Sequence, residues 1–328
     1  MIGQFSKRVL LTGAGWSRNW GGQLASEVWS SLAGHAVVRK NERLRQLLLR
    51  EPSFELALGL SRHPPFTAQD RLELEAAVLD TFVRMDYEIG RPDHDPWINI
   101  YKVQEFLFRF WGHRNDANTA GFWFTLNQDL FPERHLYNEH VAGAPRGALP
   151  GLVPRYGQNW FTSLVGRYDE EFVMRPMEDP AAQGRLHGQM NVIKLHGSFN
   201  WRSADGDNLL VIGTDKTAKI SATPLLAWYA DIFRQALFAG DVRLMIVGYG
   251  FADEHINAVI AEAIANHGLS VFIWNTAPDL KQQVLAAPYG ATIWRGLIST
   301  ATRRLVEVFP GNQSVTEEYR RICDTFFT

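Results

Sequence analysis

The chain holds a single cysteine, Cys323, in 328 residues. That excludes an internal disulfide framework and any structural zinc site built on C-x-x-C pairs, and it fits a reducing cytosol. No run approaches the roughly 18 consecutive apolar residues that a membrane-spanning helix needs, and no basic start is followed by an apolar stretch of the secretory kind. A soluble, cytoplasmic protein with no membrane partner is the expectation. Charge of one sign is missing too: 33 Lys and Arg stand against 35 Asp and Glu, a formal net charge of −2. Without an overall positive field, direct binding of nucleic acid is not expected. Neither G-x-x-x-x-G-K-[ST] nor the full G-x-G-x-x-G fingerprint occurs, so both standard nucleotide motifs are absent.

What the chain does have is Arg8-Val9-Leu10-Leu11-Thr12-Gly13-Ala14-Gly15-Trp16-Ser17. Val9 to Thr12 read as a buried parallel strand, and the two glycines turn the backbone into a helix beginning near Ser17. Backbone N–H groups at a helix start favour an anion, and glycine lets a pyrophosphate come close. A tight strand-to-helix turn without a ligand has the same pattern.

Further apolar runs follow at Phe122–Thr125, Asn191–Leu195, Arg243–Val247 and Val271–Trp274, with a last candidate at Ala291–Trp294. Helices fit between several of them, most clearly from an N-cap at Asp253 through Asn266 to a stop at Gly268. Strands alternating with helices mean a parallel, doubly wound sheet. Between the first two strands the spacing predicts helices over about 23–32, 40–60, 68–85 and 98–111, with Gly90–Pro96 as a loop. The basic cluster Arg39–Arg50 reads as the solvated face of an amphipathic helix. Pro132–Arg155 reads as a long loop, and the aromatics Tyr137, Tyr156, Trp160 and Phe161 suit packing, a lid or an interface.

Ligands of doubly wound sheets bind beyond the carboxyl ends of the strands. That rule gathers Gly13, Gly15 and Ser17, Asn127 and Asp129, His196 and Ser198, Gly248 and Gly250, and Asn275. His196 suits a general base near neutral pH, or a structural histidine. Asn127 suits a water or a ribose hydroxyl, or an Asx turn. Asp129 suits ribose hydroxyls, or the start of the next helix. No metal-ligand spacing is found around His94, His135, His140 or His187.

Together these residues resemble the sirtuin (SIR2) family. Gly13-Ala14-Gly15-Trp16-Ser17 is similar to its G-A-G-x-S loop, Thr125-Leu126-Asn127-Gln128-Asp129 to its T-Q-N-x-D, and Leu195-His196-Gly197-Ser198 to its H-G motif. Gly248-Tyr249-Gly250 stands where the family has G-T-S, and Asn275 where an asparagine meets the adenosine ribose. The resemblance implies an α/β fold, a Rossmann-like doubly wound parallel sheet over 1–34 and 115–328 that binds NAD, with an all-helical insertion over 35–114.

By the same resemblance Asn127 and His196 are catalytic, while Gly13, Ala14, Gly15, Ser17, Asp129, Gly248 and Asn275 bind NAD as substrate, with no metal. Protein-deacylating sirtuins carry a four-cysteine zinc module, which one cysteine cannot supply. They also have G-I-P-D-F-R where this chain has Gly21-Gly22-Gln23-Leu24-Ala25-Ser26. The Gly248–Ile256 stretch and the helices instead resemble SIR2-like effectors of bacterial anti-phage systems that hydrolyse NAD+. That resemblance implies a homo-oligomer and a separate sensor such as a HerA-type ATPase. The alternatives are a non-catalytic module binding NAD or ADP-ribose, and a deacylase or ADP-ribosyltransferase.

Overall fold

A computed structural model describes residues 2–91, 97–111, 119–136, 147–154, 173–184, 186, 190–213, 215–312 and 315–328. The expectations for Pro92–Pro96, Tyr137, Tyr156, Trp160, Phe161, His94, His140 and His187 lie outside them. In chain order the strands are β1 (Gln4–Thr12), β2 (Thr119–Thr125), β3 (Gly147–Ala148), β4 (Leu152–Pro154), β5 (Met174–Pro176), β6 (Met190–Lys194), β7 (Gly197–Arg202), β8 (Asn208–Leu210), β9 (Arg243–Val247), β10 (Ser270–Trp274) and β11 (Leu297–Ala301).

Seven of them form one sheet in the order β11-β10-β9-β1-β2-β6-β3, parallel at every pairing. This is a Rossmann-like α/β fold. Its central strands are apolar on both faces, as helices on each side require: Val9, Leu10 and Leu11 of β1 and Phe122, Trp123 and Phe124 of β2 have no accessible surface. The chain runs from β1 outward to β2 and β6, then returns to build β9, β10 and β11 on the other side. β1 and β9 are therefore the neighbours between which the winding reverses, and such a switch point opens a crevice at the strand ends. A smaller sheet, β4-β5-β7-β8, flanks it.

The described residues between β1 and β2 form helices. The run expected as one helix over 40–60 is two, Glu42–Arg50 and Phe54–Leu60, preceded by a short helix at Ala36–Lys40. Asn41 and Ser53 break it, because each side-chain oxygen accepts from backbone N–H groups at the start of the next helix. The basic residues Arg39, Arg43, Arg45 and Arg50 are exposed, and Leu44, Leu47 and Leu48 are buried. The long helix Ala68–Ile89 opens on a reciprocal cap, Thr67 Oγ1 accepting from Asp70 N and Asp70 Oδ2 from Thr67 N.

Two expectations are corrected. Ala291–Trp294 lies in a helix, Gly290–Arg295, and the last strand is Leu297–Ala301. β11 pairs only with β10, so it is an edge strand of half-exposed residues whose apolar signal is weak, and the buried face of the preceding helix supplied the stronger one. Within Pro132–Arg155, Phe131–Leu136 is helix and β3 and β4 follow, so the described part of that stretch is not one long loop.

Candidate functional site

The helix after β1 starts earlier than expected, at Ala14 with Gly13 in the N-cap position. Gly13 N donates to the Val247 carbonyl and Gly15 N to the Gly248 carbonyl, both at 3.0 Å. The turns after β1 and β9 thus lie backbone against backbone. A Cβ on Gly13 would sit 2.8 Å from the Gly248 oxygen, and one on Gly248 only 2.5 Å from Trp16 N. Gly248 also has φ of +64°, which side chains rarely adopt. Glycine is required here by the neighbouring strand's turn, whatever else approaches. Behind the turn Trp16 packs on Trp20, Trp123 and Phe131, and Trp123 Nε1 donates to Thr12 Oγ1.

A cavity of about 970 Å³ opens at these strand ends, near the top of the roughly 300–1,000 Å³ range of small-molecule and cofactor sites. Of the nine residues expected to form the site, Gly13, Ala14, Gly15, Asn127, Asp129, His196, Gly248 and Asn275 border it. Ser17 does not border it. It is buried behind Asn127, whose amide nitrogen donates to Ser17 Oγ at 2.9 Å and to the Gly13 carbonyl at 3.0 Å. Both Asn127 N–H groups are engaged, so Oδ1 is the atom left for a ligand. Ser17 and Asn127 together brace the glycine turn.

Asn275 is likewise tied into the wall. Its amide nitrogen donates to the Tyr249 carbonyl and its Oδ1 accepts from Ala277 N, both at 3.0 Å. Asp129 Oδ1 accepts from Phe131 N, the helix-start role that was its alternative. Burial raises its pKa against the pull of Lys194. Lys194 meets Glu133 at 2.7 Å with both side chains buried, and it donates to the Asp129 carbonyl and Ser198 Oγ.

His196 departs from the expectation of a base titrating near neutrality. Its side chain is buried, and burial lowers its pKa to about 3, with Lys216 and His255 adding to the effect and Asp253 opposing it. At physiological pH it is a neutral imidazole, able to accept one hydrogen bond and donate another.

Around His196 lies a polar group that the sequence reading missed. Its Nε2 is 3.1 Å from Nε2 of His255, and Lys216 Nζ bridges Asp253 at 2.7 Å and Glu55 at 2.8 Å. Asp253 holds the N-cap position of Glu254–His267 but makes no side-chain cap there, its carboxylate turning to Lys216. Burial works against the Asp253 charge, yet His196, Lys216 and His255 outweigh it and its pKa is lowered. Lys216 shows the mirror case, burial opposed and overcome by Asp253 and Glu55. Glu55, Ser53 and Phe54 bring the helices between β1 and β2 to the cavity, with Phe82 and Met85. The Gly248–Ile256 stretch was singled out from the sequence, but nothing in the spacing of Glu55 and Lys216 pointed to their meeting.

Among the described residues no helix is long and apolar enough to cross a membrane. Residues 148–293 match the family model described as a SIR2-like domain. No curated protein matches the chain. Among solved structures, the chain is similar to a mutant Sir2 homologue in complex with ADP-ribose, at 13% identity over 92% of this chain and 88% of that one, with a TM-score of 0.43. It is also similar to a chain from a study of the mechanism and regulation of Sir2 enzymes, at 13% identity over 97% and 93%, with a TM-score of 0.36. The crevice of the doubly wound sheet, with Asn127 and His196 on its border, thus lies in a chain whose residues 148–293 match a SIR2-like family model.

Proposed function

We propose that the chain binds NAD+ in this cavity and hydrolyses its nicotinamide–ribose bond to nicotinamide and ADP-ribose. The observation that carries the reading is the meeting of Asn127 and His196, from the ends of β2 and β6, in one cavity beside the paired glycine turns. Cleavage passes through an oxocarbenium-like state. The C1′–nitrogen bond breaks, nicotinamide leaves with the bonding electrons, and water adds to C1′ with release of a proton. Asn127 Oδ1 accepts from the attacking water or a ribose hydroxyl, and the neutral His196 imidazole accepts from a ribose hydroxyl. Gly13, Ala14, Gly15 and Gly248 line the pyrophosphate, and Asp129 and Asn275 lie toward the riboses, with Ser17 holding Asn127 in place.

In the cell this activity fits a cytoplasmic effector of a bacterial anti-phage system that depletes NAD+. Such a protein must stay silent until triggered, so homo-oligomerisation and a separate sensor, such as a HerA-type ATPase, belong to the same reading. The boundaries follow it: an NAD-binding domain over 1–34 and 115–328, with a helical insertion over 35–114.

The test is NAD+ loss over time with products separated by chromatography, for the full chain alone and with the protein encoded beside it. His196→Ala and Asn127→Ala are each expected to slow turnover by about 10²-fold or more. Unchanged NAD+ in every case, with binding retained, would replace this reading by a non-catalytic NAD or ADP-ribose sensor.

A further inference from the structure

Among the described residues, His196, Asp253 and His255 offer one ligand atom each, and these atoms lie within 4.8 Å of one another. The two Nε2 atoms face each other at 3.1 Å. Two imidazole nitrogens bound to one tetrahedral zinc ion at 2.0–2.1 Å would lie about 3.3 Å apart, so the imidazoles stand almost at ligand separation already. An oxygen of the Asp253 carboxylate lies within the same 4.8 Å.

We propose that, when no nucleotide is bound, His196, His255 and Asp253 form a binding site for a divalent cation of the zinc class at the edge of the cavity, the ion taking the one His196 lone pair that otherwise accepts the ribose hydroxyl. Two imidazoles and one carboxylate are a donor set that such ions favour. His196 and Asp253 border the cavity, which leaves the fourth position open to water or a ligand oxygen.

Among the described residues, Lys216 is the cation against the set, and its placement limits the harm. It holds Asp253 Oδ1, leaving Oδ2 for a metal, while Glu55 balances its charge. With both imidazoles neutral, Glu55, Asp253 and Lys216 leave one net negative charge beside the ligand atoms, favourable to a cation. The contacts of Lys216 with Asp253 and Glu55 also hold the carboxylate in place, the service that outer-shell partners give metal ligands.

The test does not use NAD+, so it stands or falls apart from the proposed reaction. The full chain is stripped with a chelator and titrated with Zn2+ by calorimetry and with Co2+ by visible absorption, the cobalt spectrum reporting four-coordinate geometry. About one ion per chain is expected, with the cobalt bands of a nitrogen and oxygen site. His255→Ala and the more conservative His255→Gln should each weaken binding at least about tenfold, as should Asp253→Asn, with circular dichroism showing that the fold is kept. No uptake by the folded wild-type chain would overturn the proposal. Uptake that is the same in the folded His255 variants would overturn it as well.

Discussion

The two walls of the cavity are made differently. One is backbone: the turns after β1 and β9 touch through Gly13, Gly15 and Gly248, with no room for a side chain. The other is side chain, where His196, His255, Asp253, Lys216 and Glu55 meet from four separate segments and are held by charge. The first wall fixes shape and tolerates no substitution. The second accepts isosteric changes and answers to protons and ions. The cavity is thus bounded by fixed backbone on one side, its Gly13 and Gly15 N–H groups already spent on the neighbouring turn, and by adjustable chemistry on the other.

The contrast breaks most severely at Gly248. Gly248→Ala places a Cβ 2.5 Å from Trp16 N at a φ of +64°, and a loss of about 3 kcal/mol or more in unfolding free energy is expected. A denaturant melt showing an unchanged midpoint would mean that the two turns are not in contact. On the other wall Lys216→Met strands Glu55 and Asp253 beside each other. These side chains are only partly buried, so about 2 kcal/mol is expected rather than the full cost of a broken interior pair. The loss should shrink as pH falls and the carboxylates protonate, and adding Glu55→Gln should recover part of it, a coupling that a double-mutant cycle measures.

A smaller effect sharpens the comparison away from the cavity. Asp70 closes the Thr67 cap and receives the Asn41 amide at 2.7 Å, contacts that lower its pKa. Asp70→Ala should cost about 1 kcal/mol. Its stabilising contribution is present above the unfolded pKa of a carboxylate and is lost as pH falls through the lower folded value. Melts of wild type and variant at neutral and acid pH should therefore converge at the acid end.

The backbone wall was the legible one. Gly13, Gly15 and Gly248 directly follow apolar runs, and the helix from Glu254 to His267 carries its own start and stop, Asp253 in the N-cap position and Gly268 in the left-handed C-cap. Local signals of that kind survive in sequence. Ala291–Trp294 failed because a four-residue apolar run has no period to measure, and the real strand at Leu297–Ala301 is half exposed. The side-chain wall was legible only at His196. Its ordinary pKa suggested a neutral-pH base, but burial is a property of the fold and not of the residue. Glu55 and Lys216 carry no local mark, since each became informative only through the other.

The bridge through Lys216 has a kinetic side. Glu55, Lys216 and Asp253 come from stretches far apart in the chain, and bringing such stretches together costs loop-closure entropy before any contact repays it. The bridge is complete only when the helix at Phe54–Leu60, the helix at Lys216–Ala222 and the turn after β9 are all in place. The wall is therefore a tertiary feature, and local unfolding of any one of these segments would break it.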